Sequence, residues 1–282
     1  MSRLPLLISI DGVTTPSSEA MLPMPDDGFF RGDGVFEVIR CYAGHLFAFD
    51  EHLDRLEASA AALDLPVERD SIAAETAALM ARLVTGGGGG EMSESRDAVP
   101  GGPDCLLRIV VTRAGRRVLS IEPLPVHPYS VALATVAYSP SLILNGVKSL
   151  SYAANMQATR VARRADSDEA LLVTVDGIVL EPPTSTLFWV SAEGPLRTTD
   201  TGAGVLDSIT RRKVIERCEV ETGQFGIGDV MAASEAFLAS TTREIQPVHA
   251  IDGQPIPTAP APRTAEARVA FLDAVAAERL AT

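Results

Sequence analysis

Short apolar runs closed by Gly, Asp, Asn or Pro alternate with segments of helical periodicity along this 282-residue chain. That alternation restricts the chain to layered architectures of helix on sheet, α/β or α+β. Residues 35–42, Val-Phe-Glu-Val-Ile-Arg-Cys-Tyr, predict a strand entered through Gly32-Asp33-Gly34, and Ala43-Gly44 turns it into 46–49. Asp50 then predicts the N-cap of a helix to about residue 63, with Leu53, Leu56, Ala60 and Leu63 at helical spacing. A second helix is expected over 71–83, others past Lys148 to about 165, from Asp207 or Ser208 onward, and over 264–280. Strands are expected at 6–10, 106–112, 131–137, 186–191 and 235–240, and 23–30 reads as loop. Asp176-Gly177 predicts a hairpin between 171–175 and 178–180. Residues 138–146 collect Ser, Pro, Asn and Gly and predict the division into a small N-terminal domain, 1–137, and a larger domain, 147–282. The insertion 85–103 carries Gly86 to Gly90 and predicts a flexible excursion. It is not a phosphate loop, because it lacks GxGxxG spacing and no Lys-Ser/Thr follows.

The chain has a net charge of −13 and a pI of about 4.8, so phosphate backbones repel it and nucleic acid is not an expected partner. Hydrophobic residues are 46% and charged residues 22%, a globular balance with no apolar run of membrane-spanning length and no targeting pattern at Met1. The expectation is a soluble, cytoplasmic protein that does not engage membranes. Cys41, Cys105 and Cys218 form no CxxC pair and the four histidines show no HxH or HxxxH spacing, so no metal is expected. Lys and Arg together number 24, yet only Lys148 and Lys213 are lysine. Lys213 follows Arg211-Arg212 on the polar start of a helix, whereas Lys148 lies between apolar stretches. Arginine cannot replace lysine as a nucleophile, because it does not lose its proton in proteins.

Seven segments, GDGVFEVIRCY (32–42), EHLDRL (51–56), LRIVVTR (107–113), KSLSYAANM (148–156), DGIVLEPPTSTLFWV (176–190), SITR (208–211) and STTREIQPV (240–248), together resemble the class IV, or fold type IV, pyridoxal-phosphate enzymes. That family includes branched-chain and D-amino-acid aminotransferases, R-selective amine transaminases and aminodeoxychorismate lyase. The resemblance implies a two-domain α/β fold, pyridoxal 5′-phosphate as cofactor and a homodimer. Lys148 matches the family's cofactor-anchoring lysine, which also moves the α-proton. Glu181 matches the carboxylate that keeps the cofactor's pyridine nitrogen protonated. Arg55, the backbone N–H groups of Ile209 and Thr210, and the Thr210 and Thr241 hydroxyls match its phosphate contacts. Tyr152 comes one residue earlier than the tyrosine that bonds the cofactor's O3′ in branched-chain enzymes, so it is either that ligand or a core residue. Arg108 matches a carboxylate-binding arginine; Arg40 is a second candidate for substrate carboxylates, and either could instead pair with an acidic neighbour. Phe36 would be apolar wall.

The implied reaction is transfer of an amino group from a small, largely apolar amino acid to a 2-oxo acid such as 2-oxoglutarate. The lyase, which gives 4-aminobenzoate and pyruvate, uses the same scaffold and is the alternative. No histidine follows Arg116-Arg117, which counts against the D-amino-acid branch. Pro182-Pro183 stands where branched-chain enzymes have glycines. A protein that binds the cofactor without turnover is the remaining reading.

Overall fold

The computed structural model describes residues 6–84, 102, 104–191, 194–259 and 261–281, so most of the glycine-rich insertion expected at 85–103 lies outside the described residues. The chain divides into two compact units, Met1–Pro125 with Val147–Ser151, and Val126–Gly146 with Tyr152–Thr282. This differs from the division expected at 138–146. Residues 131–137 pair inside the second unit's sheet, and residues 147–151 return to pair with the first.

The first unit contains β1 (Leu7–Ile10), β2 (Val13–Thr15), α1 (Asp27–Arg31), β3 (Gly34–Tyr42), β4 (His45–Leu46), α2 (Phe49–Ala61), α3 (Arg69–Val84), β5 (Cys105–Thr112) and β6 (Arg117–Glu122). Among the described residues its sheet has six strands in the order β2-β1-β6-β5-β3-β4, every pair antiparallel. The expected loop at 23–30 holds α1, capped by the Asp26 carboxylate on Gly28 N–H and closed by Gly32 at φ 69°. Alternation along β3 sends Val35, Glu37, Ile39 and Cys41 into the core and leaves Phe36, Val38 and Arg40 half-buried on the other face. α2 and α3 cover the core face, where Leu53, Leu56, Ile72 and Leu79 meet Ile39 and Leu107. α2 is not capped by Asp50 as expected. Ala48, at φ 53°, occupies the N-cap without a side-chain bond, and Asp50 and Glu51 lie in the first turn, where their charge suits the helix dipole. Cys41 and Cys105 are directly opposed in the β3–β5 register, and neither is in a disulfide.

The second unit contains β7 (Val131–Ala137), α4 (Ala153–Arg164), β8 (Glu169–Val173), β9 (Thr186–Val190), β10 (Leu196–Thr199), α5 (Ile209–Ile215), β11 (Val220–Gly223), α6 (Ile227–Met231), β12 (Glu235–Ser240), β13 (Glu244–Ile251), β14 (Gln254–Pro255) and α7 (Pro262–Ala281). The described strands form one sheet in the order β11-β10-β9-β12-β13-β7-β8, with β14 on β13. β7 pairs in parallel with both β13 and β8, and the central strands β9 and β12 are buried throughout, as a sheet covered on both faces requires. The hairpin expected at Asp176-Gly177 is present, with Thr174 and Leu180 donating to Ile178 and Leu172.

Residues 147–151 explain one glycine in particular. Phe36 N–H donates to the Lys148 carbonyl (3.1 Å) and Leu150 N–H to the Gly34 carbonyl (2.8 Å), so this segment lies beside β3 through the bridge Val35↔Ser149. A Cβ on Gly34 would stand 2.5 Å from the Val111 carbonyl oxygen and 2.7 Å from Leu150 Cδ1. Gly34→Ala is therefore expected to destabilise the protein by about 1–3 kcal/mol through overpacking, read as a melting midpoint lower by roughly 2 °C or more. An unchanged midpoint would contradict this packing.

Candidate active site

The first unit places Lys148 by its backbone. Besides the pairing with β3, Lys148 N–H donates to Ser59 Oγ on α2 (3.1 Å). Its ammonium lies over the Phe36 ring, 4.6 Å from the centroid, a cation–π contact that holds the amine beside apolar wall. Val38 and Arg108 are directly opposed in the β3–β5 register, so Phe36, Val38, Arg40 and Arg108 share the half-buried sheet face. The structure thus brings the expected substrate residues together with Lys148. Arg40 stacks over Tyr42 at 4.6 Å and lies 4.0 Å from Asp104. Arg108 donates from Nε and Nη2 to the two oxygens of Glu122 (2.6 and 3.0 Å), so its fork already holds a carboxylate.

Arg55 lies on the opposite, core side of β3. Its Nε and Nη2 both donate to Glu37 at 2.7 Å, and His52 Nδ1 meets Glu37 Oε2 at 2.7 Å. The Glu37 side chain is 0% exposed and that of Arg55 11%. Burial alone would raise the Glu37 pKa, but the charge and hydrogen bonds of Arg55, and then the bond from His52, hold it at about 2. Burial keeps His52 neutral by lowering its pKa, against the pull of Glu37, so Nδ1 carries the proton it donates. Glu37, His52, Ser59 and Glu122 are not found by motif reading. The available signal is parity: Glu37 is the one charged residue at the core-facing positions of an alternating strand.

The second unit carries the other candidates. Glu181 follows the hairpin, and its Oε1 accepts from Leu206 N–H at 2.8 Å. The hydroxyl of the half-buried Tyr152 donates to the Pro183 carbonyl, as does Asn155 Nδ2 at 3.3 Å. Burial and the nearby Glu181 charge raise the Tyr152 pKa, so the tyrosine stays protonated and ties down the turn after Glu181. Ser208, one of the two expected caps, accepts from Arg211 N–H at the start of α5. The Ile209 and Thr210 N–H groups stand in its first turn, where helix geometry provides no intrahelical acceptor. Thr241 opens the turn between β12 and β13, whose Arg243 N–H is held by Ser240 Oγ at 3.3 Å. Arg211, in α5, is buried and donates to the Thr199 carbonyl. Among the described residues no group of three or more His, Cys, Asp and Glu could hold a metal ion, and no helix is long and apolar enough to cross a membrane.

The family described as amino-transferase class IV matches residues 34–251. A putative branched-chain-amino-acid aminotransferase of Methanocaldococcus jannaschii is 31% identical, over 88% of this chain and 89% of its own length. A D-alanine aminotransferase of Bacillus licheniformis is 29% identical, over 98% and 99%. An aminodeoxychorismate lyase of Bacillus subtilis is 27% identical, over 87% of each chain. Among solved structures, the fold IV-transaminase CpuTA1 of Curtobacterium pusillum superposes with a TM-score of 0.79 at 28% identity, covering 92% of this chain and 93% of that one. Class IV aminotransferases use pyridoxal phosphate. The donors present suit it in kind: an amine beside apolar wall, a carboxylate held by a backbone N–H, two threonine hydroxyls, and an arginine.

The buried carboxylate predicts a pH dependence. A depressed pKa stabilises the folded state above the unfolded value of 4.5, and that contribution is lost as pH falls from 4.5 towards about 2. It amounts to on the order of 3 kcal/mol. His52, also depressed, adds a loss that begins below 6.5. In urea unfolding at a series of pH values, Glu37→Gln is expected to be less stable at pH 7 and flatter than wild type below pH 4.5. Parallel curves for the two proteins would refute the assignment.

Proposed function

The chain belongs to the class IV aminotransferase family, and from that premise we propose that it moves an amino group from a small amino acid with an apolar side chain to a 2-oxo acid, with 2-oxoglutarate the expected acceptor. The observation that carries this reading is the single sheet face on which the Lys148 ammonium lies against Phe36, with Val38, Arg40 and Arg108 beside it. Phe36 and Val38 suit an apolar side chain. Arg40 and Arg108 suit carboxylates, and at Arg108 a substrate carboxylate exchanges with Glu122. Donor and acceptor then use one face in turn.

Pyridoxal phosphate, when bound, supplies an aldehyde for the amino group and a ring that withdraws electrons from the substrate's α-carbon. Lys148 would hold it through Nζ and would take and return the α-proton. Glu181, oriented by Leu206 N–H, would keep a proton at the pyridine nitrogen. Arg55, the Ile209 and Thr210 N–H groups and the Thr210 and Thr241 hydroxyls would hold the phosphate. Tyr152 would serve Glu181 by fixing Pro183, whose carbonyl its hydroxyl holds.

A second reading, the aminodeoxychorismate lyase, is favoured by the Pro182-Pro183 turn, which Tyr152 and Asn155 hold rigid where branched-chain relatives have glycines. The test supplies leucine, L-alanine, D-alanine or an amine, each with 2-oxoglutarate, and separately aminodeoxychorismate. Glutamate from leucine or L-alanine is expected, and none is expected from Lys148→Ala. Glutamate from D-alanine or the amine alone would change the donor class. Pyruvate and 4-aminobenzoate without glutamate from any donor would establish the lyase.

The proposal extends to a homodimer. Met21, Leu22, Met24, Phe29 and Phe30 are each half or more exposed within one short stretch of the first unit, a concentration of apolar surface that marks association. Light scattering is expected to give twice the 29.8 kDa chain mass. A fully active monomer would overturn it.

A further inference from the structure

Glu37 and His52 belong to no part of the reaction described above, yet they form a buried polar cluster around a proposed cofactor ligand, Arg55. The carboxylate sits at a core-facing position of β3 among aliphatic neighbours, with 0% of its side chain exposed. Buried ion pairs are a weak source of stability, because desolvation cancels much of the attraction, and well-packed apolar residues commonly do as well. What a bidentate pair supplies beyond stability is direction. Glu37 fixes two of the three guanidinium nitrogens of Arg55, Nε and Nη2, each at 2.7 Å. The plane of the group is then set. His52 in turn fixes Glu37, through Oε2.

The same helix face continues toward the reactive amine. His52, Arg55 and Ser59 lie at i, i+3 and i+7 on α2, so they form one stripe. Ser59 accepts the Lys148 N–H. One rigid element therefore aims Arg55 and seats the Lys148 backbone, and Glu37 ties that element to β3, which pairs with residues 147–151 on its other edge.

We propose that Glu37, held by His52, is a positioning residue that aims Arg55 at the cofactor's phosphate and fixes Arg55 relative to Lys148. The inference rests on the reading of Arg55 as a phosphate ligand. Its signature is specific to the phosphate: loss of Glu37 misdirects Arg55 and weakens any ligand held through that group, while a ligand without it is unaffected.

The test uses the full chain, stripped of cofactor by dialysis and titrated with pyridoxal phosphate and with pyridoxal, which lacks the phosphate. Glu37→Gln is expected to weaken pyridoxal phosphate by about tenfold or more, with pyridoxal changed less than about twofold. His52→Asn is expected to shift the ratio of the two affinities in the same direction by a smaller factor. Arg55→Lys is the reference for the underlying reading, because lysine cannot reproduce the fork. If Arg55→Lys lowers the ratio and Glu37→Gln leaves it at the wild-type value, the positioning role is wrong and Arg55 keeps its own. If Arg55→Lys also leaves the ratio unchanged, the phosphate reading of Arg55 itself fails. Should Glu37→Gln not fold by circular dichroism, Glu37→Asp and His52→Asn decide: Glu37→Asp shortens the arm by one methylene, and wild-type ratios in both would overturn the proposal.

Discussion

A carboxylate without solvent access, in the middle of a strand, sets most of the geometry of the first unit. Glu37 could not be ionised there unless Arg55 and His52 reached it, and both come from one turn of α2. The pair therefore fixes the rotation of α2 about its axis as well as its height along β3, which apolar contacts through Leu53 and Leu56 alone would leave to packing. Hydrophobic contacts tolerate small slips, whereas a bidentate ion pair at 2.7 Å does not. Ser59, one turn beyond Arg55, then stands where a single backbone N–H can reach it, and that N–H belongs to Lys148.

The path of the chain around Lys148 follows from the same frame. After β7 has joined the second unit, residues 147–151 come back to β3 and stay extended, and helix α4 begins only at Ala153. Reading the sequence alone starts that helix just past Lys148, because the residues there contain nothing that forbids it. The extended course is imposed from outside, by Phe36 N–H and the Gly34 carbonyl, which need partners at the start of β3 where β4 does not reach. A lysine in a helix would turn with it. A lysine in a paired segment has a set direction, here toward the Phe36 ring.

What could be read from the residues divides along the same line between local and imposed structure. β7 and β12 have the expected bounds, and the ends of β3, β5, α3 and α7 differ from expectation by a few residues at most, because period-two and period-3.6 patterns are local. The five residues of α1 are too few to show a period, although Asp26 and Gly32 carried its end signals. The place of β7 could not be read, since parallel pairing with β8 and β13 joins residues far apart in the chain. For the site, the candidates on β3 and β5 were legible by alternation and prove to share a face with Lys148. The partners that orient candidates were not: Glu122 on Arg108, Pro183 on Tyr152 and Glu37 on Arg55 are contacts made by the fold, and no spacing announces them.

The parity of β3 also separates residues that hold the frame from residues that face away from it. Core-facing Glu37 is bound to α2, so a change there disturbs the frame that carries Arg55 and Lys148. Phe36, Val38 and Arg40, with Arg108 opposite, project from the other face and hold up no core. On the proposed reading, substitution on that face would alter which side chain or carboxylate is accepted and leave the contacts of Glu37 in place. Relatives named as D-alanine aminotransferase, branched-chain aminotransferase and aminodeoxychorismate lyase each align with this chain over most of its length. On β3 a core-facing position has neighbours that a substitution must disturb and an outward position has few, so one strand can keep its inner pattern while its outer face changes.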